Sequence, residues 1–212
     1  MDGTVLDTIT TITYYVNVTL KKFGIREISD DECKIFVGNG ARVLIERTLK
    51  SREIEDAKLL EEVLESYNAA YDKNPVYLTV PYEGIRELLS ELKSRGIKVG
   101  IVSNKPDFLT RPLAERFFGS LVDCAVGGKE GIALKPAPDA VLSMLDLFGA
   151  VPSECVYVGD TGVDMLTGKN LGARLTVGVL WGFRAENELR DFGADFIASI
   201  PKEILDEVLK LD

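Results

Sequence analysis

Apolar positions along the chain change their spacing close to residue 81. Ahead of that point they recur at three- and four-residue steps, the period of helices that bury one face. Residues 9–23 fit such a helix, stopping at Gly24, although the β-branched residues between 10 and 18 also suit a strand. Ser29-Asp30-Asp31-Glu32 has the spelling of a capping box and opens a short helix ending near Gly38. Residues 41–49 and 53–71 continue the helical pattern, the second through Ile54, Ala57, Leu60, Val63, Leu64 and Tyr67.

Beyond Pro81 short apolar runs alternate with helical stretches. The pattern predicts a helix over 83–95 closed by Gly96, a buried strand over 97–102, and a helix over 108–117. A strand over 121–126, a helix over 139–148 ended by Gly149, and a strand over 155–158 follow. Residues 163–171 read as a helix and 175–179 as a strand. A helix near Glu186, a short strand at Phe196 and a last helix from Lys202 complete the series. This alternation implies an α/β protein with a parallel sheet and helices on both its faces. In such sheets ligands gather at the carboxyl ends of the strands. The chain has no internal repeats and no low-complexity tracts.

The residues at those strand ends carry chemistry. The apolar run up to Val102 leads into Ser103-Asn104-Lys105, so a hydroxyl and an amide emerge together. The run up to Val158 leads into Gly159-Asp160-Thr161-Gly162-Val163-Asp164, which sets two carboxylates four residues apart. That pair suits a hard, oxygen-seeking cation such as Mg²⁺. Lys135 stands in Ala133-Leu134-Lys135-Pro136-Ala137-Pro138, a loop stiffened by two prolines. Asp2-Gly3-Thr4 and Asp7-Thr8 add carboxylates and hydroxyls at the amino end. Carboxylates, a cation site, one Lys and one Ser are the parts of phosphoryl transfer. Metal and Lys neutralise phosphate charge, Ser binds its oxygens, and Asp serves as nucleophile and acid–base.

Composition narrows the alternatives. The 212 residues contain no histidine, which excludes Ser-His-Asp and Cys-His catalysis, HExxH zinc sites and phosphohistidine relays. The net charge of −9 argues against binding a phosphate backbone, so no nucleic-acid partner is expected. Cys33, Cys124 and Cys155 are scattered, with no CxxC spacing, and fit reduced thiols of a cytoplasmic protein. No apolar run reaches the roughly 18 residues of a membrane span, and residues 1–8 lack the basic and apolar regions of a signal peptide. No membrane partner is expected, and the chain is expected to act as a monomer or homodimer on a small phosphorylated metabolite.

In order and spelling, MDGTVLDT, VSNK, LKPAPD and VGDTGVDM resemble the four motifs of haloacid dehalogenase-like phosphatases. Val37-Gly38-Asn39-Gly40, Leu44-Ile45-Glu46-Arg47, the stretch 79–84 and Val179-Leu180-Trp181-Gly182-Phe183 most resemble phosphoglycolate phosphatases. The resemblance covers nearly the whole chain. It implies a Rossmann-like core from residues 1–8 and 81–212, with residues 9–80 as a four-helix cap inserted after the first motif. It further implies Asp2 as general acid–base with its backbone carbonyl on Mg²⁺, and Ser103 hydrogen-bonded to the phosphoryl oxygens with Asn104 assisting. Lys135 would balance charge between nucleophile and phosphate. Asp160 would bind Mg²⁺ directly, and Asp164 directly or through water.

One motif departs from the family's spelling. Its first motif reads Asp-x-Asp-Gly-Thr, the first Asp being the nucleophile that forms an aspartyl-phosphate. Here Met1 takes the x position and Asp2 the second Asp, so the nucleophile and its strand would lie just upstream of Met1. Met in that position offers a false initiator, so the natural chain is expected to encode apolar residues and then Asp directly before it.

Singly, each of these residues has a plainer role: Ser after a strand caps a helix, Lys is solvated, and Asp160 is an N-cap. Four sites in family order outweigh that coincidence. Gly38-Asn39-Gly40 lacks the third glycine of a dinucleotide loop, Val43 standing there, and reads as a cap turn facing substrate. Arg42 in the same turn is a candidate for a substrate carboxylate. Trp181 and Phe183 read as loop packing. A receiver-type signalling module, a catalytically dead phosphate-binding protein and other family activities, such as sugar-phosphate phosphatase or phosphomutase, stand as alternatives. The receiver fits least, because its Lys comes last and here Asp160 follows Lys135.

Overall fold

A computed structural model describes residues 1–211 of the chain. It contains two compact units, Thr8–Val80 and Met1–Asp7 with the chain from Pro81 onward. The chain leaves the second of these after β1 (Leu6–Asp7) and returns at β2 (Val80–Pro81).

The intervening unit is helical: α1 (Ile9–Lys22), α2 (Asp30–Phe36), α3 (Ala41–Lys50) and α4 (Ala57–Tyr71). Val16, Leu20, Ile45 and Val63 are its fully buried centre. The β-branched run in α1 is helical, with Thr13 Oγ1 donating to the Ile9 carbonyl at 2.9 Å and Thr11 Oγ1 to the Tyr77 carbonyl at 2.6 Å. The capping box at α2 forms as its spelling predicts, Ser29 Oγ accepting from the Glu32 N–H and Glu32 from the Ser29 N–H. The expected helix over 53–71 begins later. Asp56 accepts the N–H groups of Lys58 and Leu59 at 2.8 and 3.0 Å and caps α4 at Ala57, while Glu53 turns to a φ of 59°.

The α/β unit runs α5 (Ile85–Ser94), β3 (Gly100–Pro106), α6 (Asp107–Phe118), β4 (Cys124–Gly128), α7 (Asp139–Phe148), β5 (Val156–Gly159), α8 (Gly162–Leu171), β6 (Leu175–Val179), α9 (Glu186–Asp191), β7 (Phe196–Ala198) and α10 (Pro201–Val208). Two strands start later than the pattern suggests. Ile97 N–H still closes the end of α5 on the Leu92 carbonyl at 3.0 Å, which moves β3 to Gly100. A 3₁₀ turn at Gly119–Leu121 delays β4 to Cys124.

All the β3–β7 pairings are parallel, but they form two sheets rather than one: β3–β4 and β5–β6–β7. An apolar cavity of about 680 Å³ is bounded by residues of β3 and β5, with Met1, Val102, Met144, Tyr157, Val158 and Trp181 among its lining. Around the larger sheet, Val177, Val179 and Ala198 pack with Leu88, Leu92 and Ile204 of α5 and α10. Val141 and Leu145 of α7 pack with Tyr157 and Leu171. Helices on both sides thus hold β3 and β5 with their carboxyl ends open to one edge.

Candidate active site

The amino end makes a tight knot at that edge. The Met1 carbonyl accepts the N–H groups of Val5 and Leu6 at 3.0 and 3.1 Å, and Gly3 N–H returns to the Leu6 carbonyl at 2.9 Å. Gly3 adopts a φ of 77°, and a Cβ there would lie 2.1 Å from Asp160 Oδ2. Only glycine lets the knot and the β5 loop meet. Thr4 closes the contact, its Oγ1 donating to Asp160 Oδ1 at 2.8 Å. On the other side Phe183 N–H donates to Asp160 Oδ2 at 3.1 Å, and Trp181 Nε1–H donates to the Thr4 carbonyl at 2.9 Å. Trp181 and Phe183 therefore do more than fill the loop between β6 and α9. The signal for this role is Gly182 between them, where a Cβ would fall 2.3 Å from that of Asp160.

Asp164 sits one turn further on, in α8. The N-cap of that helix is Thr161 rather than Asp160, and Thr161 Oγ1 and N–H both donate to Asp164 Oδ2, at 2.7 and 3.2 Å. The other oxygen, Oδ1, accepts from Lys135 Nζ at 2.6 Å, with both side chains almost wholly buried. Asn104 fixes the Lys135 loop twice, its Nδ2 donating to the Lys135 carbonyl at 3.2 Å and its Oδ1 accepting the Lys135 N–H at 2.8 Å. Asn104 thus spends its amide on placing Lys135. Ser103 is buried, and its Oγ accepts the Lys105 N–H at 3.1 Å. Lys105 Nζ stands 3.3 Å from Asp2 Oδ1, a pairing that motif spelling did not single out.

Charge at this edge is unbalanced. Burial, and then the neighbouring charge of Asp164, push the Asp160 carboxyl up to about 6. Burial works against the Asp164 carboxylate too, but the Lys135 ammonium overcomes it and holds Asp164 below the usual carboxylate range. Burial likewise opposes the Lys135 charge, and the attraction of Asp164 outweighs it, raising the ammonium well above its ordinary value.

Asp2, Ser103, Asn104, Lys135, Asp160 and Asp164 accordingly fall into one chain of contacts within the α/β unit. Gly38, Asn39, Gly40 and Arg42 belong to the helical unit. There Gly38 and Gly40 take φ values of 117° and 86°, Gly40 precedes the first turn of α3, and Arg42 Nη2 meets both Glu61 oxygens at 2.6 Å.

The donor set fits Mg²⁺. Among the described residues no three Asp, Glu or Cys side chains converge as a metal cluster. Mg²⁺, however, is ordinarily held by one or two carboxylates with waters and phosphate oxygens. Asp160 accepts one hydrogen bond on each oxygen and keeps lone pairs for a cation. Its raised pKa marks a carboxyl that a dication would draw into the ionised form.

The model of the haloacid dehalogenase-like hydrolase family matches residues 1–178. A phosphoglycolate phosphatase of Aquifex aeolicus is 34% identical over 194 residues, 91% of this chain and 88% of that protein. One from Haemophilus influenzae is 28% identical over 203 residues, 93% of this chain and 90% of its own length. A solved structure from Lactobacillus delbrueckii subsp. bulgaricus, provisionally assigned the same activity, superposes with a TM-score of 0.88 at 29% identity, covering 98% of this chain and 95% of that one. The chain belongs to the haloacid dehalogenase-like hydrolases.

Proposed function

We propose that this protein is a Mg²⁺-dependent phosphatase that hydrolyses a small phosphate monoester of the 2-phosphoglycolate class. The observation that carries the reading is the buried Asp160–Asp164–Lys135 cluster at the carboxyl edge of β5, where two carboxylates face one ammonium. The activity named for the relatives supports the substrate class.

Bound Mg²⁺ would supply charge neutralisation for the phosphoryl group, held by Asp160 and Asp164 with the Asp2 carbonyl. Lys135, placed by Asn104, offsets the charge between nucleophile and phosphate, and Ser103 donates its hydroxyl to a phosphoryl oxygen. The nucleophile is an Asp immediately ahead of Met1, on an apolar strand. The cavity between β3 and β5, lined by apolar side chains of both strands, supports that placement. The leaving oxygen takes a proton from Asp2 as the aspartyl-phosphate forms. Asp2 then accepts a proton from the water that cleaves it. Arg42, whose Nη2 already meets a carboxylate in Glu61, binds the acid group of the substrate. The protein acts in the cytoplasm, a setting that suits its three free cysteines.

The test is phosphate release by a chain extended upstream to include that Asp. Turnover of 2-phosphoglycolate well above that of a neutral ester, abolished by EDTA, is expected. Undiminished turnover in EDTA, or no turnover at all, would overturn the reading.

A further inference from the structure

β3 changes its pairing where its chemistry begins. Val102 pairs with Val126, but the next partner of Gly128 is Pro106, so Ser103-Asn104-Lys105 opposes a single residue of β4. Such an irregularity re-aims side chains. The backbone of Lys105 is pinned on both sides, its N–H by Ser103 Oγ and its carbonyl by Thr110 Oγ1, each at 3.1 Å. Gly127 admits that carbonyl closely, since a Cβ there would lie 2.5 Å from it. From this fixed base the Lys105 side chain runs inward, 10% exposed, and sets its ammonium 3.3 Å from Asp2 Oδ1. The edge thus holds two separate ammonium–carboxylate pairs. Lys135 serves Asp164, and Lys105 serves Asp2.

We infer that Lys105 is a positioning residue for Asp2, holding Oδ1 so that Oδ2 is the atom that exchanges protons with the substrate. The inference rests on the acid–base role proposed for Asp2. In the first step Asp2 Oδ2–H gives its proton to the bridging oxygen as the phosphorus–oxygen bond breaks and the nucleophile's bond to phosphorus forms. The alcohol leaves neutral, and Asp2 is left ionised beside the Lys105 ammonium. In the second step the water oxygen bonds to phosphorus as the acyl–phosphate bond breaks and Oδ2 takes the water's proton; inorganic phosphate leaves, which restores the nucleophile's carboxylate and the protonated Asp2. A side chain four methylenes long with a fixed backbone is an ordered support for one oxygen, apart from the Lys135–Asp164 pair.

The test is the dependence on leaving group. An alkyl phosphate such as 2-phosphoglycolate needs its leaving oxygen protonated, whereas p-nitrophenolate departs unaided. Because kcat/KM reports steps through leaving-group departure, it is the quantity to compare. In the upstream-extended chain, Lys105→Met should lower kcat/KM for 2-phosphoglycolate about a hundredfold and for p-nitrophenyl phosphate only a few-fold. Lys105→Arg, which keeps the charge, should restore part of the difference, and serves if the Met variant fails to fold. Asp2→Asn, run beside them, should discriminate between the substrates at least as strongly. Equal losses on both substrates for Lys105→Met and Asp2→Asn alike would overturn the role given to Asp2. Discrimination by Asp2→Asn with none by the Lys105 variants would overturn this inference alone.

Discussion

Two carboxylates in this chain both accept hydrogen bonds and end with proton affinities shifted in opposite directions. In the helical unit Glu32 accepts Arg52 Nη1 and Nη2 at 2.8 and 3.2 Å and the Ser29 N–H at 2.9 Å. Those bonds, Arg52 first, hold its carboxyl down at about 2. In the α/β unit Asp160 also has two donors, yet burial and Asp164 push it up to about 6. The difference is first in burial, which is almost complete for Asp160 and partial for Glu32, and then in the count of charges. Arg52 serves Glu32 alone and ties it to the Arg26 and Glu27 carbonyls. Lys135 is drawn to Asp164 at 2.6 Å, and among the described residues no Lys or Arg side chain makes a salt bridge to Asp160. One cluster is complete as folded, and on the proposed function the other would be completed by a cation from solution.

The largest effect expected from this contrast is on turnover. Asp160→Asn should cut phosphate release by about a thousandfold or more, the scale of losing a preorganised charge on the reacting group. The same substitution should leave Mg²⁺-free stability equal or higher, because it removes a buried charge that lacks a partner. Glu32→Gln should do the reverse, lowering thermal stability slightly while turnover stays unchanged. A loss of turnover in Glu32→Gln comparable to Asp160→Asn would erase the contrast.

Lys135→Met probes the same cluster from its cationic side. It leaves Asp164 buried with no counter-charge at the distance Nζ now occupies, a loss of about 3 kcal/mol. Denaturant unfolding measures it. Adding Mg²⁺ should recover much of that loss in the variant, since the dication compensates the same carboxylates. A variant as stable as the parent without Mg²⁺ would show that the pair contributes nothing net.

Solution pH should move the two regions in opposite directions. The folded state holds the Asp160 proton more tightly than the unfolded chain, whose Asp titrates near 3.9. Its contribution is therefore present below about 4 and is lost as pH rises through about 6, a matter of roughly 2–3 kcal/mol in EDTA. Glu32 is depressed, so its contribution is present above its ordinary value and is lost as pH falls toward about 2. It is solvent-exposed enough that less than about 1 kcal/mol is expected. Trp181, the single tryptophan, lies in the α/β unit beside Thr4 and reports the first trend by fluorescence during melting. A melting temperature in EDTA that rises between pH 5 and 7 would contradict the assignment.

How far the residues announced these clusters follows from physics. Asp160, Asp164 and Lys135 were legible because hard-cation and phosphate chemistry requires those side-chain types, and strand ends deliver them to one edge. The Ser29 capping box was legible because it is purely local. The pairings of Lys105 and Trp181 were not, since their partners, Asp2 and Thr4, are more than a hundred positions away and only the fold joins them. The strand boundaries shifted for a local reason that period alone does not carry. The end of α5 consumes Ile97, and a 3₁₀ turn consumes residues 119–121.

The smallest effect concerns Arg42, and here the structure revises the size of the expectation. A free arginine at the start of α3 would give about ten- to a hundredfold in KM for a carboxylate substrate. Arg42 is instead held by both oxygens of Glu61 at 2.6 Å, with both side chains more than half exposed. Binding an acid therefore exchanges one ion pair for another. The net gain is the difference between two exposed pairs, each worth little in water. Arg42→Ala should accordingly raise KM for 2-phosphoglycolate by no more than about five-fold, with p-nitrophenyl phosphate unaffected. Glu61→Gln supplies the complementary measurement. It releases the guanidinium from its present partner and should lower KM for the acid by a similar factor. If both substitutions change the two substrates equally, Arg42 and Glu61 join α3 to α4 and recognise nothing.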